Sequence, residues 1–342
     1  MNFTDIAVNV GLKFMKKSIF IIVILAIITL LVSGIVFLSG KSNPITAKIS
    51  IVSTLFPTYD FAKNIGGDKV EVTLLLPPGV EPHSFDPTPG DVVKINSADI
   101  FVYTGEFMEP WANDIIKGTD TKVKIVDASS GIALMKEADD GDEDEDEHEE
   151  GGHEHEEEHA HHHHGGVDPH IWLDFENAQK MAQNISDALQ TIDPENAAYY
   201  QNNFETYKII LANLDNEYKN TLMACETNTI VYGGHYAFGY LAKRYGLGYV
   251  AAQGFSPDAE PSAKDMVDMV EQIKKDNIRY IFYEELTSPK IAETLSGETD
   301  AQMLLLNGAH NIAKDDYKSG VSYVSIMENN LKNLSIGLDC KK

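Results

Sequence analysis

Histidine is the residue type whose distribution in this sequence indicates a chemistry most directly. Eight of the twelve histidines lie within one acidic stretch, at 148–164, and the other four stand far apart in the chain. These four are His83, His170, His235 and His310. A neutral imidazole is the commonest nitrogen ligand for zinc and related ions, so the distribution predicts a protein that binds a transition metal.

The four isolated histidines lie where predicted strands end or where the next helix begins. A single histidine in such a loop is more often structural than a metal ligand. Four in equivalent loops favour a shared site, because two facing lobes would bring these loops to one cleft. Imidazoles at about 2.0–2.1 Å suit tetrahedral Zn²⁺, whereas Mn²⁺ and Mg²⁺ prefer oxygen ligands and Cu(I) prefers thiolates. We therefore predict a zinc site.

The acidic stretch is a compositional outlier. Residues 139–158 hold 14 Asp and Glu and no Lys or Arg, so the formal charge of −26 falls to −12 for the rest of the chain. This balance excludes nucleic acid as an expected partner. The segment 136–166 has no apolar periodicity and is expected to be a disordered loop, acting either as a weak collector of metal or as a solvated spacer. The HExxH match at 155–159 lacks the apolar helix face of a protease.

The N-terminus carries a long apolar run. Residues 18–40 form 23 uncharged, mostly aliphatic positions, and Lys13, Lys16 and Lys17 precede them. The run predicts a membrane anchor with 1–17 in the cytoplasm, and a cleaved signal peptide is the close alternative. Either interpretation places the residues after about 41 outside the cytoplasm. No cysteine lies directly after the run, so we expect no lipid anchor of the bacterial lipoprotein kind.

Cys225 and Cys340 are the two cysteines of the chain. Two thiols in an exported protein are more often paired than free, so we expect a disulfide between them. Neither lies in a CxxC motif, which makes metal ligation by these residues the weaker interpretation.

Apolar β-branched runs alternate with amphipathic segments, which predicts an α/β fold with mainly parallel sheets. The N-terminal lobe, 48–172, has expected strands at 48–54, 70–76, 99–104 and 123–127 and helices at 59–65, 89–97 and 108–117. The C-terminal lobe, 225–342, has expected strands at 229–232, 248–252, 279–283 and 302–306 and helices at 235–245, 261–276, 289–295 and 320–334. Linking helices at 176–189 and 194–224, within 173–224, predict a long rigid connection between the lobes.

Four segments of the chain resemble one known family. GVEPHSFDPTPGD, DPHIWLD, GGHYAFGYLAKRYGL and YVSIMENNLKNL are similar to motifs of the metal-binding solute-binding proteins of ABC importers, in particular the high-affinity zinc-uptake branch. The resemblance covers about Ile49 to Cys340. It implies two α/β lobes joined by a long helix, a metal ion in the cleft between them, and delivery of that ion to an ABC permease in the membrane.

The resemblance also implies a set of ligands. His83, His170 and His235 match the three histidine ligands of the family, and histidine at the third position resembles the zinc branch. The fourth position varies among relatives, and here we expect His310, with water or Glu81 as alternatives. Asp168, Asp174 and Glu284 are candidates for orienting an imidazole through its other nitrogen, although a helix cap or a surface charge is the expectation we favour for each.

Other functions stay open at the level of sequence. A zinc hydrolase would need an open coordination position and a base, and the chain has no GxSxG, P-loop or GxGxxG motif, so we expect no enzymatic activity. The same fold could instead be specific for manganese or iron. We expect a monomer that functions on the outer side of the membrane.

Overall fold

The structure is a computed structural model and describes residues 15, 20, 23–29, 48–136, 166–255, 257 and 260–341. The chain divides into two units, Met1–Ala47 and Lys48–Lys342. In the first unit, residues 23–29 are helical and exposed. Among the described residues, no helix has both the length and the apolar character needed to cross a membrane. The predictions made for most of 1–17, for most of 18–40 and for the acidic stretch concern residues that the structure does not describe.

The N-terminal lobe is built on a parallel sheet of four strands. These are β1 (Ile49–Ser53), β2 (Val70–Leu74), β3 (Ile100–Tyr103) and β4 (Lys124–Asp127), in the order β2-β1-β3-β4. Helices α1 (Phe56–Gly66), α2 (Pro89–Asn96) and α3 (Ala112–Gly118) connect them. From β1 the chain crosses to β2 on one side, and from β2 it crosses back to β3 on the other side of β1. This reversal between β1 and β3 opens a crevice at the carboxyl ends of the strands.

Two long helices follow, α4 (Phe175–Ile192) and α5 (Ala197–Leu222). Asp174 caps α4 by accepting the N–H groups of Glu176 and Asn177, and a 3₁₀ turn at Pro194–Asn196 separates the two helices. The 26 residues of α5 bury one face, with apolar side chains at intervals of three and four. Tyr207 near its middle donates to Asp60 of α1, and Tyr218 near its end donates to the carbonyl of Met327. The long joining helix expected from the sequence is therefore confirmed.

The C-terminal lobe repeats the same design. Its strands β5 (Thr229–Tyr232), β6 (Gly248–Ala251), β7 (Tyr280–Tyr283) and β8 (Gln302–Leu305) are parallel, in the order β6-β5-β7-β8. The helices are α6 (Gly239–Tyr245), α7 (Ala263–Lys275), α8 (Lys290–Thr299), α9 (Lys314–Ser319) and α10 (Tyr323–Gly337). A second crevice lies between β5 and β7. Both lobes and the α/β class agree with expectation.

Some predicted helix bounds were wrong, and each has a local cause. The helix expected at 235 begins at Gly239, because the N–H of His235 donates to Glu284 and the N–H groups of Ala237 and Phe238 donate to Tyr249. The helix expected at 108 begins at Ala112 after two turns.

The end of the chain also differs from expectation. Helix α9, a polar segment with no apolar periodicity, was not predicted. Its left-handed cap at Gly320, with φ of 78°, ends α9, so the last helix begins after the capping residue Ser322 rather than at Gly320.

One apolar core runs through both lobes and the linking helices, and each sheet has a smaller cluster on its other face. Cys225 and Cys340 form the expected disulfide, which joins the segment after α5 to the segment after α10. The two ends of the acidic loop meet in an antiparallel bridge between Lys136 and Val167.

Candidate metal centre

The four isolated histidines converge in the cleft between the lobes. Nε2 of His170 lies 3.3 Å from Nε2 of His83 and 3.2 Å from Nε2 of His235, and Nε2 of His235 lies 3.2 Å from Nε2 of His310. One ligand atom of each residue falls within 4.8 Å of the other three. Four nitrogens placed about 2.0 Å from a tetrahedral ion are separated by about 3.3 Å, so the cluster has the dimensions of a zinc cage.

The topology of the two sheets explains this convergence. His83 follows β2, His235 follows β5 and His310 follows β8, so each lies at the carboxyl end of its sheet. His170 precedes the 3₁₀ turn Ile171–Leu173 that leads into α4. His170, His235 and His310 are buried, whereas His83 is half-buried. His83 therefore lies on the side of the site that faces solvent.

Two carboxylates contact the opposite ring nitrogens of His170 and His235. Oδ1 of Asp168 lies 2.7 Å from Nδ1 of His170 and also accepts the N–H of that residue at 2.9 Å. Oε1 of Glu284 lies 2.8 Å from Nδ1 of His235. Such partners keep the proton on Nδ1 and leave the lone pair of Nε2 for the ion. The expectation that Asp168 and Glu284 are caps or surface charges was wrong, whereas Asp174 is a helix cap.

Glu285 is a site residue that the sequence analysis missed. Its Oε1 lies 3.6 Å from Nδ1 of His310, and its Oε2 accepts the N–H of Gly308 at 2.8 Å. The available signal was a pair of consecutive acids directly after a buried strand, β7. Glu81, the alternative ligand, accepts the N–H of His83 at 3.0 Å and is not in the group of converging ligand atoms found among the described residues.

The electrostatic environment of the site is negative. Burial raises the pKa of Asp168 to about 7, opposed by the N–H of His170. Burial also acts to raise the pKa of Glu284, but the hydrogen bond and charge of His235 hold it below its usual value. Burial acts to lower the pKa of His310, and the carboxylate of Glu285 outweighs it and raises that pKa. The surrounding acids thus favour positive charge at the centre, whether it is a proton or a metal ion.

Comparisons with known proteins agree with this geometry. Residues 51–337 match the family described as ZnuA, zinc-uptake complex component A periplasmic. The chain is 39% identical over 300 residues to the high-affinity zinc uptake system protein ZnuA of Bacillus subtilis, covering 87% of this chain and 90% of that protein. It is also 39% identical over 303 residues to the zinc-binding lipoprotein AdcA of Streptococcus pneumoniae, covering 87% of this chain and 58% of AdcA.

A solved structure shows the same fold. The Zn(II)-bound ZnuA-like domain of Streptococcus pneumoniae AdcA superposes on this chain with a TM-score of 0.70 at 36% identity. The match covers 86% of this chain and 100% of that domain. The chain therefore spans somewhat more than half of full-length AdcA and corresponds to its ZnuA-like domain.

Proposed function

Because the chain belongs to the ZnuA family of zinc-uptake components, we propose that His83, His170, His235 and His310 hold the zinc ion that it delivers to an ABC importer. Membership makes the chain an extracytoplasmic zinc-binding solute-binding protein, and the proposal concerns which residues bind the ion. The observation that carries it is the spacing of 3.2–3.3 Å between successive Nε2 atoms.

The arrangement suits capture and release of an ion rather than chemistry on it. His83 and His170 belong to the N-terminal side of the cleft, and His235 and His310 follow strands of the C-terminal sheet. An ion bound by all four joins the two sides, and its release requires the sides to separate. The carboxylates beside Nδ1 of His170, His235 and His310 orient these three rings, so little reorientation is needed when zinc enters.

The donor set favours zinc over manganese or iron. Four neutral imidazoles provide no hard oxygen, which Mn²⁺ prefers, and their spacing fits a tetrahedron. The same set argues against a hydrolase, because a shell closed by four nitrogens leaves no position for an activated water. We therefore assign no catalytic step to this site.

Location and partners follow from the family, and their details are part of the proposal. The ABC permease is the partner that receives the ion. We propose that residues 18–40 anchor the chain or direct its export, that the protein acts as a monomer, and that it does not bind nucleic acid. We also propose that the stretch 139–164 binds further zinc weakly, a role that its eight histidines support.

Zinc titration of the purified protein tests the ligand set. We expect about one tightly bound zinc per chain, retained after deletion of 139–164 and lost in His83→Ala, His170→Ala and His235→Ala. The deletion serves as the control, since it removes eight histidines and leaves His83, His170, His235 and His310 in the chain. A deletion protein without a tight site would contradict the proposal. Full affinity in His310→Ala would instead assign the fourth position to water or Glu81, and retention of Mn²⁺ against equimolar Zn²⁺ would reject zinc.

A further inference from the structure

The loop after β8, residues 307–312, is bound by both lobes, and we name it the clasp loop. Its first residues belong to the C-terminal lobe. The N–H of Asn307 donates to Oδ1 of Asn330 at 2.9 Å, and Nδ2 of Asn330 donates to the carbonyl of Asn307 at 2.7 Å. The N–H of Gly308 donates to Glu285. These bonds fix the start of the clasp loop to β7 and α10.

Two backbone carbonyls of the clasp loop, those of Gly308 and His310, accept hydrogen bonds from the other side of the cleft. Nε1 of Trp172 donates to the carbonyl of Gly308 at 2.7 Å, and the N–H of Phe56, at the start of α1, donates to the carbonyl of His310 at 3.2 Å. His310 therefore lies in a loop whose first residues are bonded to the C-terminal lobe and whose later carbonyls are bonded to the N-terminal side of the cleft.

Asn311 makes the most direct connection between two metal-binding loops. Its side chain is buried, and Nδ2 donates to the carbonyls of Pro77 and Val80, each at 2.8 Å. Pro77 and Val80 belong to the loop that carries His83. Oδ1 of Asn311 accepts the N–H of Ile312 at 2.8 Å, which fixes the orientation of the amide. Both hydrogens of one amide nitrogen are thus donated to the loop of the opposite lobe.

We propose that Asn311 is a positioning residue for metal retention, which fastens the His83 loop to the His310 loop and thereby slows the release of zinc. The inference rests on the zinc-binding function proposed above. Zinc bound by ligands from both lobes leaves only when their loops separate. Separation breaks both bonds of Asn311 and leaves a buried donor and two carbonyls unpaired until water reaches them, which adds to the barrier for release.

Zinc release from the full-length protein into excess chelator, followed by stopped flow, tests this role. We expect Asn311→Ala to release zinc about 10–100-fold faster than the wild type, because two buried hydrogen bonds are lost. The matched control is Asn333→Ala. Nδ2 of Asn333 donates to the carbonyl of Leu305 at 2.8 Å, at the start of the same region but within one lobe. Its release rate should stay close to that of the wild type.

A second readout separates positioning from the loss of a ligand. The absorption spectrum of the Co²⁺-loaded protein should keep its tetrahedral bands in Asn311→Ala, since all four histidines remain. Melting of the metal-free variant checks its folding. If Asn311→Ala does not fold, Asn311→Ser replaces it, because a hydroxyl can still accept from Ile312 but cannot supply two hydrogens to the facing loop.

The outcomes are distinct. Faster release from a folded Asn311 variant with an unchanged Co²⁺ spectrum supports the clasp, provided that Asn333→Ala does not share the effect. Wild-type release from a folded Asn311 variant overturns it, as does equal acceleration in Asn333→Ala. A wild-type protein without tight zinc would reject the proposed function itself.

Discussion

Gly308 lies two residues before His310, and the imidazole of His310 packs directly against it. A Cβ built at position 308 would overlap Cε1 and Nδ1 of that ring. The absence of a side chain here is what allows His310 to turn toward the other three imidazoles.

Replacing this glycine tests the fourth ligand without removing its imidazole. We expect Gly308→Ala to displace the His310 ring and weaken zinc binding by about tenfold or more, because a metal ligand that is poorly oriented binds the ion less tightly. Competition with a chelator measures the change. Gly297→Ala is the control, because a Cβ there meets nothing within 4 Å. Undiminished affinity in Gly308→Ala would mean that His310 does not bind the ion.

Glu284 offers a second test at the scale of single residues. It holds Nδ1 of His235 at 2.8 Å and also accepts the N–H of that residue at 3.3 Å. Glu284→Gln removes the negative charge and turns one acceptor into a donor, so zinc affinity should fall about 10–100-fold. Titration against a competing chelator gives the value. The same substitution at the exposed Glu293 should leave affinity unchanged, and equal effects at both positions would argue against an orienting role.

At the scale of elements, a buried acid joins the ends of β1 and β3. Glu109 accepts the hydroxyl of Thr54 and the N–H groups of Thr104 and Gly105, the last at 3.0 Å. Burial raises its pKa from 4.5 to about 7, although these donors act to lower it. The folded protein therefore binds this proton more tightly than the unfolded chain does.

The sign of the resulting pH dependence follows from linkage. Between pH 4.5 and about 7 the unfolded chain ionises Glu109 while the folded protein does not, so the free energy of unfolding falls as pH rises. The Glu109→Gln variant does not show this fall in the free energy of unfolding. We expect its stability relative to the wild type to rise with pH across this window by about 3 kcal/mol, measured by urea unfolding of metal-free protein. The exposed Glu106→Gln should show a flat difference, and a flat difference for Glu109→Gln would refute the raised pKa.

The disulfide links the ends of two further elements, α5 and α10. Cys225 follows α5 and Cys340 follows α10, at a sequence separation of 115 residues. Backbone bonds flank it, including Thr227 N–H to Leu338 and Lys341 N–H to Ala224. The closed loop encloses the C-terminal lobe.

Loss of this link should destabilise the fold mainly by freeing the unfolded chain. We expect the double variant Cys225→Ser, Cys340→Ser to lose about 2–4 kcal/mol of unfolding free energy in urea, with zinc affinity little changed. Reduced wild-type protein serves as the comparison and should lose a similar amount. An unchanged midpoint in both samples would show that the backbone contacts alone hold the two ends.

At the scale of the whole molecule, the lobes are joined by more than the linking helices. The main core includes Phe61 of the first lobe, Tyr218 of α5 and Phe282 of the second lobe. Tyr323 of α10 donates to the carbonyl of Trp172 at 2.5 Å. Core and metal ligands are therefore shared between the two sides, which favours a single cooperative unit.

Zinc should stabilise that unit as a whole. We expect one unfolding transition, and a gain of about 2.7 kcal/mol when free zinc is a hundredfold above its dissociation constant. Urea unfolding of the variant that lacks 139–164 gives the cleanest measurement, because it removes the histidines that could bind zinc in the unfolded chain. Two separate transitions, with zinc shifting only one, would show that the lobes fold independently.

The sequence by itself determined the features that depend on neighbouring residues. The eight strands found among the described residues lie within the predicted runs, because β-branched and apolar patterns are local and report directly on a buried sheet. The four isolated histidines could be recognised as candidate ligands because the chain has no other histidines outside the acidic stretch. The disulfide followed from the number of cysteines and from the expected compartment.

Only the tertiary structure decided which groups meet across long separations. Asn311 contacts residues 231 and 234 positions away, and Glu284 holds a histidine 49 positions before it. No local pattern encodes such pairs, since each residue taken alone resembles a turn or a surface charge. The late start of α6 also depends on distant residues, because the carboxylate of Glu284 and the hydroxyl of Tyr249 accept N–H groups of residues 235, 237 and 238 and hold this segment outside the helix. The tertiary structure brings these acceptors within reach, and they outweigh the local helix propensity.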